Sequence, residues 1–377
     1  MTEKTARFRN KAIHAAYSGV LKPLFFLNDP EKTHDLMTAV GKRLGRFSAG
    51  RGLTRALFDY KNPMLAQQIG SIRFENPIGL SAGFDKNAEL TDILPAVGFG
   101  FAEVGSITGY ACAGNPKPRL WRLPDSKSLA VYYGLKNDGC EAIAARLRKK
   151  LSEKPFAFPV GMSVAMTNCK ENLDLQSAIA DFAKAFRTME PLGAYVTVNI
   201  SCPNTQGGQP FVAPERLDAL FDSLDTIPTE KPVFIKLSPD MDDAQLDSLL
   251  AVARKHRIDG IICTNLTKKR NNPHILDKDV PQVGGLSGKV VQELSDKMLA
   301  RIYKKEGKRF ILVGCGGVFT AEDAYKKIRL GASLVQMITG MIFEGPQVIS
   351  EINQGLATLL KRDGFSSIGQ AVGVDNA

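Results

Sequence analysis

The chain contains the run Tyr195-Val196-Thr197-Val198-Asn199-Ile200-Ser201-Cys202-Pro203-Asn204-Thr205. Its first four residues are aromatic or β-branched and predict a buried strand, which leads directly into amides, a serine and a thiol. A parallel-sheet enzyme carries its chemistry at the carboxyl ends of its strands. Cys202, flanked by Asn199 and Asn204, is therefore a candidate proton acceptor beneath a planar polar ligand. The alternative is that Cys202 fills space in the core and the asparagines stabilise a turn.

Seven further apolar runs predict strands of the same kind, and amphipathic stretches of helix length separate most of them. Each run ends in polar or glycine-rich residues, which indicates that the loops after the strands form one site. Eight strands alternating with helices predict an α/β fold, a (β/α)8 TIM barrel with an N-terminal helical extension. A doubly wound sheet is the second choice, because the GxGxxG turn after an early strand is missing. The seven runs are Ile78–Leu80, Phe101–Val104, Val160–Val164, Val233–Leu237, Gly260–Cys263, Phe310–Val313 and Ser333–Met337.

Composition narrows the class of protein. The 377 residues are 44% hydrophobic and 23% charged, with a formal net charge of +10. This charge favours anionic partners, such as phosphate-bearing cofactors and acidic substrates, and its spread over helix-like stretches argues against nucleic acid. The six cysteines form no CxxC pair and the four histidines have no spaced partner, so we expect no metal site, no disulfides and a cytoplasmic location. The chain also lacks an apolar run long enough to span a bilayer and the pattern of a signal peptide.

Residues 12–47 carry apolar positions at helical spacing, interrupted over residues 21–30, and predict a helical hairpin. Asp29 as N-cap, Pro30 at the first helical position and Glu31 mark the start of its second helix. This hairpin either docks on the main domain or forms an apolar entrance or membrane-surface patch ringed by basic residues. We therefore divide the chain into an N-terminal hairpin (1–55), a barrel (56–363) and a tail (364–377). The apolar surface is Val20, Leu21, Leu24, Phe25, Phe26, Leu36, Met37 and Val40, and the basic residues are Lys11, Lys22, Lys42, Arg43 and Arg46.

Glycines cluster near the last strands, at Gly284–Gly288, Gly314–Gly317 and Thr339-Gly340. A barrel commonly holds a phosphate at this place on backbone amides, and glycine allows the close approach that a side chain would block. Taken singly, each glycine is better explained as part of a turn. Together they predict a phosphate site.

Lys236 lies inside an apolar strand. Burying its ammonium without a partner would cost on the order of several kcal/mol. Either a bound anion meets it, such as a flavin whose reduced ring carries negative charge, or it forms an ion pair with Asp240 or Glu103. Lys86 likewise faces a ligand or pairs with neighbouring Asp85. Together with three asparagines, the two lysines would surround a planar, hydrogen-bonding anion. The asparagines are Asn199, Asn204 and Asn265.

Five motifs occur along most of the chain: Asn76–Lys86, Lys117–Leu123, Asn199–Thr205, Gly284–Gly288 and Gly331–Gln336. In this order they resemble the motifs of the dihydroorotate dehydrogenases, FMN-dependent barrels of pyrimidine biosynthesis. The segment Asn28–His34 is similar to the membrane-associated, quinone-reducing class, whose extra helices form the quinone entrance. The resemblance implies oxidation of dihydroorotate to orotate, FMN, a quinone acceptor and peripheral contact with the cell membrane.

The resemblance also implies roles for individual residues. Cys202 stands where the catalytic base belongs, and would remove a proton from C5 while a hydride passes from C6 to the flavin. Nearby Lys86 would favour the thiolate. The pyrimidine would be held by Lys86, Asn199, Asn204 and Asn265. FMN would be held by Ala82, Gly83, Lys86, Ser106, Ser163, Asn199, Lys236, Thr264, Gly288, Gly317, Ile338 and Thr339.

The chain departs from the family pattern at four positions. The quinone-reducing class has serine where Cys202 stands, and cysteine is typical of the soluble class that uses fumarate or NAD. Val131 replaces a substrate-binding asparagine, Leu266 replaces a small hydroxyl residue, and Ser163 replaces a flavin-binding asparagine. Each lost contact would weaken binding by about 1 to 3 kcal/mol if the ligand group stayed unpaired. Another acceptor, another cyclic substrate and a non-catalytic flavin-binding protein are therefore alternatives, and the candidates for compensation are Tyr132, Tyr133 and Lys136.

Overall fold

The computed structural model describes residues 3–376, so Met1, Thr2 and Ala377, at the outer ends of the predicted hairpin and tail, lie outside the described residues. A short antiparallel hairpin of β1 (Gln67–Ile69) and β2 (Ile72–Phe74) precedes the barrel. Eight parallel strands then close into a barrel, which confirms the predicted TIM barrel. These are β3 (Ile78–Leu80), β4 (Phe101–Thr108), β7 (Val160–Ala165), β8 (Tyr195–Asn199), β9 (Val233–Leu237), β10 (Gly260–Cys263), β12 (Ile311–Cys315) and β13 (Leu334–Met337).

All eight predicted strands are present, with boundaries that differ by a few residues. The largest difference is in β4, which continues to Thr108 because the chain pairs with β7 again after a register shift between Val104 and Ile107. Aromatic side chains fill the lower barrel, where Tyr195 stacks on Phe234 with ring centroids 4.9 Å apart. This filling leaves the carboxyl ends of the strands as the open end of the barrel.

Three strands outside the barrel form an antiparallel sheet in the order β11-β6-β5. They are β5 (Leu120–Leu123), β6 (Ser128–Val131) and β11 (Gly285–Gly288). Because β11 carries the predicted glycine motif and β6 ends at Val131, this sheet brings two distant segments to one wall of the site.

Helices surround the barrel and bury a continuous apolar core against it. The four N-terminal helices are α1 (Glu3–Ala16), α2 (Lys22–Leu27), α3 (Pro30–Arg46) and α4 (Ser48–Phe58). The others are α5 (Leu94–Val97), α6 (Cys140–Glu153), α7 (Leu175–Met189), α8 (Pro214–Asp225), α9 (Asp243–Lys255), α10 (Gln292–Glu306), α11 (Ala321–Arg329), α12 (Thr339–Glu344) and α13 (Val348–Arg362).

The predicted interruption over residues 21–30 is shorter in the structure. Lys22–Leu27 is helical, since Pro23 sits in the first turn where its missing N–H costs little, and the chain turns only at Asn28 and Asp29. Asp29 is the N-cap of α3, as predicted, and its carboxylate accepts from the Lys32 N–H at 2.8 Å. The division at residues 55 and 363 stays a prediction.

A buried ion pair fastens α3 to the barrel. Glu31 accepts from Arg119 Nη2 at 2.8 Å and from Nε at 3.1 Å, and both side chains are almost fully buried. Burial alone would raise the pKa of Glu31, but the Arg119 guanidinium, with Lys117 and Lys136, lowers it to about 2. The N-terminal helices are therefore held against the open end of the barrel at the pH of a cell.

Candidate active site

The open end of the barrel contains a cavity of about 170 Å³, which we call the substrate cavity. The sheet β11-β6-β5 forms one wall, and the ends of the barrel strands form the floor. Most of the predicted site residues line it, although they come from six different barrel strands and the loops that follow them. They are Ala82, Gly83, Lys86, Ser106, Asn199, Cys202, Asn204, Lys236, Asn265, Ile338 and Thr339.

A network of hydroxyls and amides fixes the floor. Asn199 Nδ2 donates to Ser106 Oγ at 2.8 Å, and Ser106 Oγ lies 2.8 Å from Ser163 Oγ. Asn265 Nδ2 donates to Asn199 Oδ1 at 3.3 Å and to Ser201 Oγ at 3.1 Å. Most of the hydrogen-bonding capacity of the Asn199 and Asn265 amides is thus used within the protein, which holds both side chains in place.

Lys236 is buried, and its ammonium donates to Ser81 Oγ at 2.9 Å. Within residues 3–376 no carboxylate lies within ion-pair distance of this ammonium. Glu103 instead accepts from Thr197 Oγ1 at 2.9 Å, and Asp240 accepts from the N–H of Lys268. The predicted ion pair with Glu103 or Asp240 is therefore wrong, and the position suits a bound anion.

A second cavity, of about 80 Å³, adjoins the first, and four of its lining residues are glycines, Gly288, Gly316, Gly317 and Gly340. Gly288 and Gly317 have φ angles of 88° and 72°, which side chains rarely adopt. A Cβ at Gly317 would lie 2.2 Å from Gln292 Cβ, so only glycine fits there. Lined by Lys236, Thr264, Gly288, Gly316, Gly317 and Thr339, this cavity suits a phosphate held on backbone N–H groups, and with the anion site at Lys236 it fits a flavin nucleotide.

Cys202 lines the substrate cavity at the end of β8. Burial raises the pKa of its thiol to about 11, partly offset by a backbone N–H from Asn204 and by the charges of Lys268 and Lys236. Burial thus outweighs the nearby cations, and the main cationic influences on this sulfur are Lys268 and Lys236 and not, as the sequence suggested, Lys86. In the ligand-free protein Cys202 is a protonated thiol at neutral pH.

Lys86 stands at the other side of the substrate cavity. Burial, with the charge of Lys136 adding to it, lowers its pKa to about 8. Its nitrogen lies 3.4 Å from His34 Nε2 and 4.1 Å from the centre of the Tyr133 ring. However, the His34 Nε2–H donates to the Phe84 carbonyl at 2.9 Å, so Lys86 finds no acceptor on that ring. The predicted pair with Asp85 does not form, because the Asp85 carboxylate accepts from two backbone N–H groups.

Lys86 also faces a larger opening of about 700 Å³, here named the vestibule, between α3 and the loops after β3 and β4. Charged and polar side chains dominate its wall. The vestibule shares His34, Phe84, Lys86, Tyr133 and Lys136 with the substrate cavity. The vestibule therefore adjoins the substrate cavity, and these five residues separate the two.

A third cavity, of about 160 Å³, lies between the N-terminal helices and the barrel, and we call it the apolar cavity. Two of its polar lining residues are hydrogen-bonded to backbone. Arg122 donates to the Asn28 carbonyl at 2.7 Å, and the Tyr17 hydroxyl donates to the Ile342 carbonyl at 2.6 Å. His34 and Phe84 line the substrate cavity, the vestibule and the apolar cavity, so this pair forms the partition where these three meet. The remaining wall is mainly Phe25, Phe26, Met37, Leu120, Leu129, Met341 and Ile342.

The outer face of the N-terminal helices is unusually apolar. Leu27 is 85% exposed and Phe8 is 78% exposed. No helix within the described residues has both the length and the apolar character needed to cross a bilayer. The other exposed large apolar side chains of this face are Val20, Leu21, Leu24, Leu36, Met37, Val40, Leu44, Phe47, Leu53 and Leu57.

Of the predicted flavin ligands, only Ser163 lines neither the substrate cavity nor its neighbour, because its short side chain ends behind Ser106. Sequence reasoning missed Ser81, which holds Lys236, and Ser287, whose Oγ lies 2.9 Å from Thr339 Oγ1. Both lie in motifs at the ends of strands, and that position is the signal that could have found them. It also missed the partition residues His34 and Phe84, whose role depends on the docking of α3.

Comparison with known proteins agrees with this arrangement. The family model for dihydroorotate dehydrogenase matches residues 64–360. A dihydroorotate dehydrogenase (quinone) of Nocardia farcinica is 38% identical over 363 residues, covering 95% of this chain and 96% of that protein. The corresponding protein of Natronomonas pharaonis is 39% identical over 360 residues, covering 94% and 98%.

Solved structures give the same result for the fold. The crystal structure of ligand-free DHODH from Eimeria tenella has a TM-score of 0.84 and 28% sequence identity, covering 93% of this chain and 100% of that one. The complex of the same enzyme with ferulenol has a TM-score of 0.83 at 28% identity, covering 92% and 96%.

Proposed function

The chain belongs to the dihydroorotate dehydrogenase family, and on that premise we propose that it oxidises dihydroorotate to orotate in pyrimidine biosynthesis and delivers the electrons to a quinone. One observation carries the proposal: the barrel brings Lys86, Cys202 and the buried Lys236 to one cavity beside a glycine-rich phosphate cradle. The fumarate and NAD alternatives suggested by Cys202 are not favoured, since the relatives are quinone enzymes.

The family is flavin-dependent, and we propose FMN as the flavin of this chain. The cradle around Gly288 and Gly317 suits a single phosphate group, and Lys236 supplies a cation inside the barrel. When bound, the flavin supplies the acceptor for the hydride that leaves C6 of the substrate. Lys236, with its ammonium fixed by Ser81, would stabilise negative charge at that acceptor.

Cys202 is proposed as the base that removes the proton from C5, so that the C5–C6 double bond of orotate forms as the hydride leaves. A thiol with a pKa of about 11 is a weak acid at neutral pH, and its thiolate is correspondingly basic. Lys86 would hold the substrate carboxylate through charge, and Asn204 would orient the ring. The floor network holds Asn199 and Asn265 in place, and these two amides would position the substrate ring.

The apolar cavity is proposed as the quinone site. It adjoins the substrate cavity through His34 and Phe84, and its aromatic and aliphatic wall suits an apolar ring with Arg122 at its rim. The exposed apolar face of the N-terminal helices, with Lys22, Arg43 and other basic residues nearby, is proposed to rest on the membrane surface, where quinones dissolve.

The test is to mix purified, flavin-loaded protein with dihydroorotate in the absence of oxygen and record the visible spectrum. Bleaching of the flavin absorbance with formation of orotate is the expected result, and added short-chain quinone should restore the colour. Protein that keeps its colour and forms no orotate would overturn the proposal. Vesicles with and without anionic lipid, sedimented with the protein, test the membrane surface separately.

A further inference from the structure

Tyr133 follows strand β6 at the junction of the substrate cavity and the vestibule, and its side chain lines both. Its ring covers the Lys86 ammonium, with the nitrogen 4.1 Å from the ring centre, and Arg119 lies 5.3 Å from the same centre. The residue is only 9% exposed. The hydroxyl of a tyrosine that is almost fully buried normally has a hydrogen-bond partner.

That partner is missing: within the described residues, the Tyr133 hydroxyl is buried and makes no hydrogen bond. Asn204 Oδ1, in the same cavity, is also buried without a partner. The other end of the Asn204 amide is occupied, since Nδ2 donates to the Val131 carbonyl at 2.9 Å. A buried polar atom without a partner is unfavourable, so two such atoms in one cavity point to a polar ligand that hydrogen-bonds to them.

The rest of the cavity wall explains why this ligand needs Tyr133. Val131 and Leu266 offer no hydrogen bond, and Asn199 and Asn265 are largely committed to the floor network. Among the described side chains of this wall, Asn204 Oδ1 and the Tyr133 hydroxyl are buried without a partner, and the Lys86 ammonium lies beside them. The Lys86 ammonium is a compact point charge, so a second donor beside it would fix the orientation of a carboxylate.

We propose that the Tyr133 hydroxyl donates a hydrogen bond to the carboxylate of the pyrimidine held by Lys86, and so serves as a substrate-binding residue in place of the amide absent at Val131. This inference rests on the proposed function and adds a specificity-determining residue to it. The class of ligand follows from the pair of groups: an ammonium beside a neutral hydroxyl recognises a planar carboxylate. Burial raises the pKa of Tyr133 well above its usual range, so the hydroxyl stays protonated and can donate a hydrogen bond.

The test is Tyr133→Phe, which removes one oxygen and keeps the ring over Lys86. On flavin-loaded protein, we expect orotate affinity measured by calorimetry to fall about tenfold to a hundredfold, since the lost bond is to a charged group. The KM for dihydroorotate should rise similarly, with a smaller change in kcat. The melting temperature of the ligand-free protein should stay the same or rise, because the hydroxyl has no partner there to lose.

The neighbouring Tyr132 is the matched control, because it lines neither the substrate cavity nor the vestibule. Tyr132→Phe should leave orotate affinity unchanged. Orotate affinity within twofold of wild type in Tyr133→Phe would overturn the inference while leaving dihydroorotate oxidation intact. A lower melting temperature with unchanged orotate affinity would also overturn it, by assigning Tyr133 a structural role. A wild-type protein that neither binds orotate nor is reduced by dihydroorotate would overturn both proposals.

Discussion

The flavin side and the substrate side of the site differ in how their polar groups are satisfied. On the flavin side, Lys236 is bonded to Ser81, and the cradle is built around Gly288 and Gly317. On the substrate side, the Tyr133 hydroxyl and Asn204 Oδ1 have no partner within residues 3–376. The flavin side therefore lacks an anion for Lys236 and a partner for the buried Gln336 Oε1, whereas the substrate side lacks partners for a hydroxyl and an amide oxygen.

The difference follows from the elements that build each side. The flavin side lies on the ends of barrel strands and on loops whose backbone conformation only glycine tolerates, so few sequences can form it. The substrate side is made by side chains on β6 and on the loop after β8, where one residue can replace another that supplies the same hydrogen bond. We infer that binding of the flavin constrains the chain more tightly than recognition of the pyrimidine does.

The largest effect is expected on the substrate side, from Cys202→Ala. Loss of a general base lowers kcat by about a hundredfold to ten-thousandfold, whereas the flavin cradle is untouched and flavin content should stay at the wild-type level. Rapid mixing with dihydroorotate measures the rate of flavin bleaching. Cys169→Ala is the control, since that cysteine does not line the substrate cavity, the vestibule or the apolar cavity. A bleaching rate near wild type in Cys202→Ala would exclude Cys202 as the base.

The flavin side is tested by Gly317→Ala. The new Cβ would lie 2.2 Å from Gln292 Cβ, and the loop must shift away from a bound phosphate. Flavin affinity, measured by the fluorescence of flavin released on dilution, should fall about tenfold to a hundredfold, as expected for lost hydrogen bonds to a charged group.

Gly364→Ala is the matched control for Gly317→Ala. Gly364 has a similar φ angle, 78°, and its Cβ would meet nothing within 4 Å. It carries the same backbone cost without the clash. Equal flavin release from both variants would show that the flavin side accepts a side chain at Gly317, and would contradict the proposal that only glycine fits there.

The same contrast explains what could be predicted from the sequence. Each barrel strand was predictable, since apolar runs ending in polar residues are local patterns, and so was the Asp29 cap of α3. The His34–Phe84 partition was not, because it depends on where α3 docks. The pKa of Cys202 was predicted in the wrong direction, since burial outweighs the nearby cations and is invisible in a linear pattern.

The pH dependence of the reductive step gives a third test, with an effect of about tenfold per pH unit. Cys202 must be deprotonated, and its pKa of about 11 makes the rate rise with pH. Lys86 must be charged, and its pKa of about 8 makes binding fall above that pH. With both groups acting, kcat/KM for dihydroorotate should rise to about pH 8 and then level off until about pH 11. Reoxidation by quinone uses neither group, and an identical profile for that step would contradict the assignment.

The smallest expected effect concerns Val131→Asn, which returns an amide to the wall beside Tyr133. If the Tyr133 hydroxyl has taken over the hydrogen bond that an amide at 131 would supply, the new amide should matter most where that hydroxyl is absent. We expect Val131→Asn to raise orotate affinity about threefold to tenfold in the Tyr133→Phe background, the range for one neutral hydrogen bond, and less in the wild type. Val131→Ala, which changes the shape of the wall without adding an amide, should give no rescue. Equal gains in orotate affinity in both backgrounds would mean that residues 131 and 133 contact different atoms of the ligand. The Tyr133 hydroxyl would then be an additional contact and not a replacement for an amide at position 131.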